Sequence, residues 1–205
     1  MQLPSVLVLD TCVLLSNVLR RMFFQLAARG AFQLAWSPII GDEWQRNAHR
    51  LWRTEPQLLQ AHWQAMQLAF PQADMGDVSA GKQGLRYSDP KDWHVIAAAR
   101  CAQLRWPNET VAVLTRNVKD FSRSELRRLG LQLWDPDQCL WRYAHAGWSL
   151  PAWALDCLAE DASREGQALT VEQMLKRERL FRYAAFRNTG IQITQSDAQT
   201  RAAMA

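Results

Sequence analysis

Asp10 closes the run Ser5-Val-Leu-Val-Leu, five residues that read as a buried strand ending on a carboxylate. A charge in that place is costly unless it is paired or bound to a cation. Three other acidic residues occupy comparable positions. Glu43 lies early in a helix opened by Ser37-Pro38, Asp92 in the first turn of a helix capped by Ser88-Asp89-Pro90, and Asp120 just past a second buried strand, Thr110 to Thr115. Each has an ordinary alternative: a first-turn acid for Asp92, a solvated helix face for Glu43, and a turn-forming side chain for Asp120. Asp10 is the hardest of the four to explain that way.

The elements that must position these residues alternate. After the first strand, a helix from about Val18 to Arg29 is terminated by Gly30, and Phe32 to Trp36 reads as a brief strand. The Ser37-Pro38 helix runs to about Trp52, and another starts at Thr54-Glu55-Pro56 and stops at Pro71. Met75 to Gly84, rich in Gly, Ser and Asp, is expected to be a mobile loop. The helix carrying Asp92 presents Ala97, Ala98, Ala99 and Ala102, which would let it sit close to a sheet. Ser122-x-x-Glu125 reads as a capping box for a short helix ended by Gly130, and Leu131 to Trp134 as a last strand. This alternation argues for a three-layer α/β/α sandwich around a central parallel sheet, with chemistry in the crevice beyond the strands' carboxyl ends.

Past Asp135-Pro136 the pattern is helical: about 137–146, 151–164, and a segment opened by Thr170-Val-Glu-Gln173 that runs to about Arg187 with a basic run of Lys176, Arg177, Arg179, Arg182 and Arg187. A short strand at Ile191 to Thr194 and fraying from Gln195 onward complete the reading. The expected division is an α/β domain over residues 1–138 and a helical extension or small domain over 139–205.

Composition excludes little. With 48% apolar and 21% charged residues the chain reads as an ordinary globular protein, and a net charge of +4 permits a polyanionic partner without demanding one. No stretch approaches the about 18 apolar residues of a membrane span, and no secretory leader is recognisable, so the expectation is a cytoplasmic protein without a membrane partner. Cys12, Cys101, Cys139 and Cys157 are widely spaced, with no metal-ligand pattern, and are expected to be reduced and mostly buried. The ten tryptophans are spread along the chain, which favours core and interface roles over base stacking.

Four motifs in register carry a resemblance. Val8-Leu-Asp10-Thr-Cys-Val-Leu14, Ser37-x-x-x-x-Asp-Glu43-Trp-x-Arg-Asn47, Asp89-Pro-Lys-Asp92-Trp-His-Val-Ile-Ala-Ala-Ala99 and Leu114-Thr-Arg-Asn117-Val-Lys-Asp120-Phe121 together resemble the PIN-domain nucleases, especially VapC-like toxin ribonucleases of type II toxin–antitoxin pairs. The likeness covers residues 5 to 138. It implies that Asp10, Glu43, Asp92 and Asp120 are catalytic, with Asp10, Asp92 and Asp120 binding Mg²⁺ or Mn²⁺. Converging carboxylates repel and gain proton affinity unless a hard divalent cation neutralises them, and such an ion can activate water against a phosphodiester. Asp89 competes with Asp92, as a helix cap, and Asp42 with Glu43.

Thr11, Thr115 and Asn117 stand as supporting residues, Asn117 where many relatives carry another acid and Cys12 where Asn or Ser is common. His94 reads as a packed or hydrogen-bonded histidine. Arg46, Arg50, Arg116 and Lys119 border the expected crevice and are candidates for the RNA backbone. The resemblance further implies an RNA substrate, a cognate antitoxin and a homodimer. Two alternatives remain: a non-catalytic PIN-fold binding module, or a housekeeping nuclease acting on RNA or DNA.

Overall fold

The computed structural model describes residues 2–163 and 168–189. Four parallel strands, β1 (Val6–Leu9), β2 (Gln33–Ala35), β3 (Val111–Leu114) and β4 (Gln132–Trp134), form one sheet in the order β2-β1-β3-β4. All four residues of β1 and all four of β3 are buried, as a continuous apolar run at the centre of a parallel sheet requires. Their register pairs Val8 with Val113 and Leu9 with Leu114, and the Asp10 N–H extends the ladder to the Leu114 carbonyl at 3.1 Å. The chain leaves β1 toward β2 on one side and returns to β3 on the other. The strand order therefore reverses between β1 and β3, and the crevice of such a switch point opens where these two strands end, at Asp10 and Thr115.

Between the strands run α1 (Thr11–Leu14), α2 (Asn17–Ala28), α3 (Pro38–Trp52), α4 (Pro56–Ala69), α5 (Trp93–Arg105) and α6 (Arg123–Arg128). Ser16 and Ser37 cap α2 and α3 by accepting the N–H groups of Leu19 and Ile40, and Pro38 opens α3 with its preset φ. The fully buried Ala97, Ala98, Ala99 and Ala102 bring α5 onto β1, β2 and β3. The parallel sheet with its flanking helices is the α/β/α sandwich read from the strand and helix alternation. Trp36, Trp44 and Trp63 lie buried in a cluster, with Trp63 5.7 Å from Trp36 and 5.8 Å from Trp44 between ring centroids. Gly41 is required there, since a Cβ would come 2.4 Å from the Trp63 ring.

Four local expectations need correction. The Met75 to Gly84 stretch is a pinned connection and not a mobile loop. Arg100 donates to the carbonyls of Gly81 and Gln83, Arg105 to those of Gln72 and Asp74, and Ser79–Lys82 forms a 3₁₀ turn against α5. The box at Ser122 is only half made: Ser122 accepts the Glu125 N–H, but the Glu125 carboxylate turns to a different segment. The expected single helix from Thr170 to Arg187 is broken. Its capping box forms as read, yet α9 (Val171–Arg177) ends at Glu178, Arg179 takes a left-handed φ of 58°, and a separate helix spans 181–189. All four cysteines are reduced, but only Cys139 is buried, with Cys157 exposed on a helix surface and the other two half-buried.

The chain divides into two compact units, Met1–Pro136 and Asp137–Ala205. The second contains α7 (Pro136–His145), α8 (Ala152–Ala162), α9 and the 181–189 helix around Leu140, Tyr143, Leu155, Leu158, Leu175 and Leu180. Asp137 caps its last helix, accepting the N–H groups of Arg182 and Tyr183 at 3.0 Å each. The strand expected at Ile191 to Thr194 and the fraying beyond it lie outside the described residues. Among the described residues no helix is long and apolar enough to cross a membrane.

Candidate active site

Asp10 is 4% exposed, and its carboxylate is anchored through one oxygen. Thr115, fully buried at the end of β3, donates to Asp10 Oδ2 at 2.6 Å, and the Cys12 thiol donates to the same oxygen at 3.1 Å. Burial and the Asp10 charge push the Cys12 thiol up to about 12, so it keeps the proton it donates. Thr115 in turn accepts the Asn117 N–H at 2.9 Å, and Cys12 accepts that of Arg116 at 3.2 Å. The loop after β3 is thereby tied to the turn after β1. Among the described residues nothing hydrogen-bonds Asp10 Oδ1, which leaves that oxygen for a ligand.

Glu43 repeats the arrangement from α3. Its Oε2 accepts from Thr11 at 2.9 Å and lies 3.1 Å from His94 Nε2, off the axis of a good hydrogen bond but at ion-pair distance. The His94 ring, above all, with the Thr11 hydroxyl and Arg46, holds the Glu43 carboxyl below the ordinary carboxylate range against the effect of burial. The histidine read as packed or hydrogen-bonded thus touches one of the four acids. Its position two residues after Asp92, on the helix that backs the crevice, is the signal that was there to be used.

Asp92 and Asp120 each end a short 3₁₀ turn. Pro90–Asp92 is a 3₁₀ turn whose cap is Asp89, which accepts the Lys91 N–H, while Asp92 itself begins α5 without a side-chain cap bond. Asp89 therefore performs the capping duty and leaves the Asp92 carboxylate uncommitted. Asp120 ends the turn Val118–Asp120. Burial, followed by the negative charges of Asp10, Asp120 and Asp89, pushes the Asp92 carboxyl up to about 6, with His94 opposing. Three of the four expected acids, Asp10, Asp92 and Asp120, therefore share one field, together with Asp89. Glu43 reaches Asp10 only through the adjacent Thr11.

Glu125 is a residue that sequence reasoning placed in the wrong role. It is 1% exposed, and its carboxylate accepts the backbone N–H groups of Arg86 at 2.7 Å, Tyr87 at 3.2 Å and Ser88 at 2.9 Å. Burial alone would raise its proton affinity, but these hydrogen bonds outweigh it and hold the carboxyl below its ordinary range. Only a fold that brings residues 86–88 to α6 makes this visible.

The basic candidates are less organised. Arg46 donates to the Asp42 carbonyl and Arg50 to the Asn47 side chain on the exposed face of α3, while Arg116, Asn117 and Lys119 are exposed on the loop after β3. The donor set at the crevice is oxygen only apart from the protonated Cys12 thiol and suits a hard cation. Among the described residues no three His, Cys, Asp or Glu side chains enclose an ion by themselves. The residues fit an ion held by one or two carboxylates and completed by water and phosphate oxygens, the usual manner of Mg²⁺.

The four-stranded parallel sheet places Asp10 at its switch point. The sequence profile of the PIN domain matches residues 6–119, more than half of the chain, and the chain belongs to the PIN-domain family, whose members are generally nucleases. The matched span includes Asp10, Glu43 and Asp92 and ends one residue before Asp120. No curated relative matches the chain.

Proposed function

We propose that the chain is a Mg²⁺- or Mn²⁺-dependent endoribonuclease, the toxin of a toxin–antitoxin pair. The observation that carries the metal-dependent part is the Asp92 carboxyl, pushed up to about 6 by burial and by the charges of Asp10, Asp120 and Asp89. A cluster so short of positive charge favours a divalent cation. One or two of Asp10, Asp92 and Asp120 would hold the ion directly and the rest through water, and the ion when bound would supply a more acidic water and stabilise charge on phosphate oxygens. Thr115 and Cys12 fix the orientation of Asp10; Thr11 and His94 fix that of Glu43, which would orient or deprotonate water. Arg46, Arg50, Arg116 and Lys119 would receive the RNA backbone. RNA as substrate, an antitoxin partner and a homodimer rest on the four motifs that resemble VapC-like toxins.

The deciding experiment is RNA cleavage by the parent and by Asp10→Asn in the presence of Mn²⁺. Cleavage should vanish with the circular dichroism spectrum unchanged, and a variant as active as the parent would discard the assignment. Asn117, where another acid is common among relatives, favours a second reading as a binding module without turnover. Calorimetry separates the two: binding of Mn²⁺ that depends on Asp10 supports the nuclease, and no binding at millimolar Mn²⁺ supports the module. Growth arrest on expression, relieved by a neighbouring reading frame, distinguishes a toxin from a housekeeping nuclease.

A further inference from the structure

The Asp92 carboxylate faces like charge from Asp10, Asp120 and Asp89. Two of the segments that carry them, 88–92 and 117–120, are short turns that such repulsion would push apart. They are stitched together instead. The Asp89 N–H donates to the Asp120 carbonyl at 2.8 Å, the Ser122 N–H to Ser88 Oγ at 2.9 Å, and the N–H groups of Arg86, Tyr87 and Ser88 converge on Glu125. From these stitches Asp92 is one turn away, through its N–H to the Asp89 carbonyl at 2.9 Å, and Asp120 is itself an anchoring residue.

Glu125 bears the largest share of this seam. Burying a carboxylate without a cation is expensive, and no Lys or Arg pairs with it among the described residues. Consecutive backbone N–H groups turned to one point form an anion-binding concavity that compensates it. Capping α6 needs only Ser122, so the reach of Glu125 to a segment about 38 positions earlier serves the far side of the seam.

We infer that Glu125 is a positioning residue for the ion site: by clamping residues 86–88 it holds Asp92 beside Asp120 against their repulsion, so that the site is assembled before a cation arrives. The inference rests on the reading of Asp10, Asp92 and Asp120 as ion-binding residues. It goes beyond that reading by assigning a role to a buried carboxylate that meets neither ion nor substrate.

The test is calorimetry with Mn²⁺ on the full chain and on Glu125→Gln, which puts an amide NH₂ where one oxygen accepted, together with hydrogen exchange of the metal-free proteins over residues 86–92. The variant should keep its circular dichroism spectrum, bind Mn²⁺ about tenfold more weakly, as loss of a supporting hydrogen bond at a metal site typically does, and exchange faster at 86–92. Adding Asp92→Asn, which removes part of the repulsion, should slow that exchange again. Exchange equally fast in the double variant would mean that Glu125 only secures the loop, and Mn²⁺ binding equal to the parent's would also overturn the inference while leaving the nuclease reading intact. A parent that binds no Mn²⁺ removes the nuclease reading first and this role with it. If Glu125→Gln does not fold, Ser88→Ala removes a single stitch: binding weakened about threefold supports the clamp, and unchanged binding overturns it.

Discussion

Thr115 and Asp10, 105 positions apart in sequence, are joined by a 2.6 Å hydrogen bond at the carboxyl ends of two adjacent parallel strands. The bond is buried, it is made to a carboxylate, and it decides which oxygen of Asp10 faces the crevice. Thr115→Val keeps the side chain's shape and removes the donor. A hydrogen bond to a charged group contributes about 2 kcal/mol, and the loss should appear as a lower midpoint in urea unfolding with an unchanged slope. RNA cleavage should fall by about tenfold or more, because the first carboxylate of the site is no longer fixed.

Asp92 gives the site a pH dependence. Its folded carboxyl is pushed up to about 6 from an ordinary 3.8, chiefly by burial and then by Asp10, Asp120 and Asp89. The folded state thus binds the proton more tightly than the unfolded state between these values, and the metal-free protein loses stability as pH rises through that window. Asp92→Asn should remove this loss, raising the melting temperature at pH 8 and leaving it nearly unchanged below pH 4. At subsaturating Mn²⁺, cleavage by the parent should decline as pH falls through about 6, where protons compete with the cation for Asp92. Melting curves across pH that coincide for parent and variant would contradict the assignment.

His94 acts on Glu43 across 3.1 Å. His94→Ala removes the chief influence holding the Glu43 carboxyl low, and carboxyl-carbon NMR should record its titration moving upward. Cleavage should be lost at a higher pH than in the parent as the pH falls toward the ordinary carboxylate range, since Glu43 then takes up its proton more readily. A Glu43 titration unaffected by the substitution would show that Thr11 suffices.

Gly81 tests the pinned connection. A Cβ there would meet the Ala97 carbonyl oxygen at 2.8 Å and its Cα at 2.9 Å, both backbone atoms of α5 that cannot step aside. Gly81→Ala should therefore destabilise the first unit by about 2 kcal/mol, the usual cost of overpacking, read from the denaturation midpoint. Because Arg100 holds the same segment, Arg100→Ala should add little to the effect of Gly81→Ala.

The sequence by itself determined the strands and most of the helices, because each is written in local terms: Val6 to Leu9 and Val111 to Leu114 as continuous apolar runs, Ser37 and Thr170 as caps, Gly30 and Gly130 as stops with positive φ. It also singled out Asp10, since a carboxylate closing a buried strand is anomalous in any setting. Tertiary structure decided what a local pattern cannot carry. Only the pairing of β1 with β3 brings Thr115 to Asp10, only the seating of α5 puts His94 against Glu43, and only the approach of residues 86–88 to α6 takes Glu125 away from the capping box its spacing spelled out. The physical reason is the same in each case. A side chain's hydrogen bond goes to the partner that burial leaves within reach, and for Asp10, Glu43 and Glu125 that partner lies about 30 to 105 residues away in sequence.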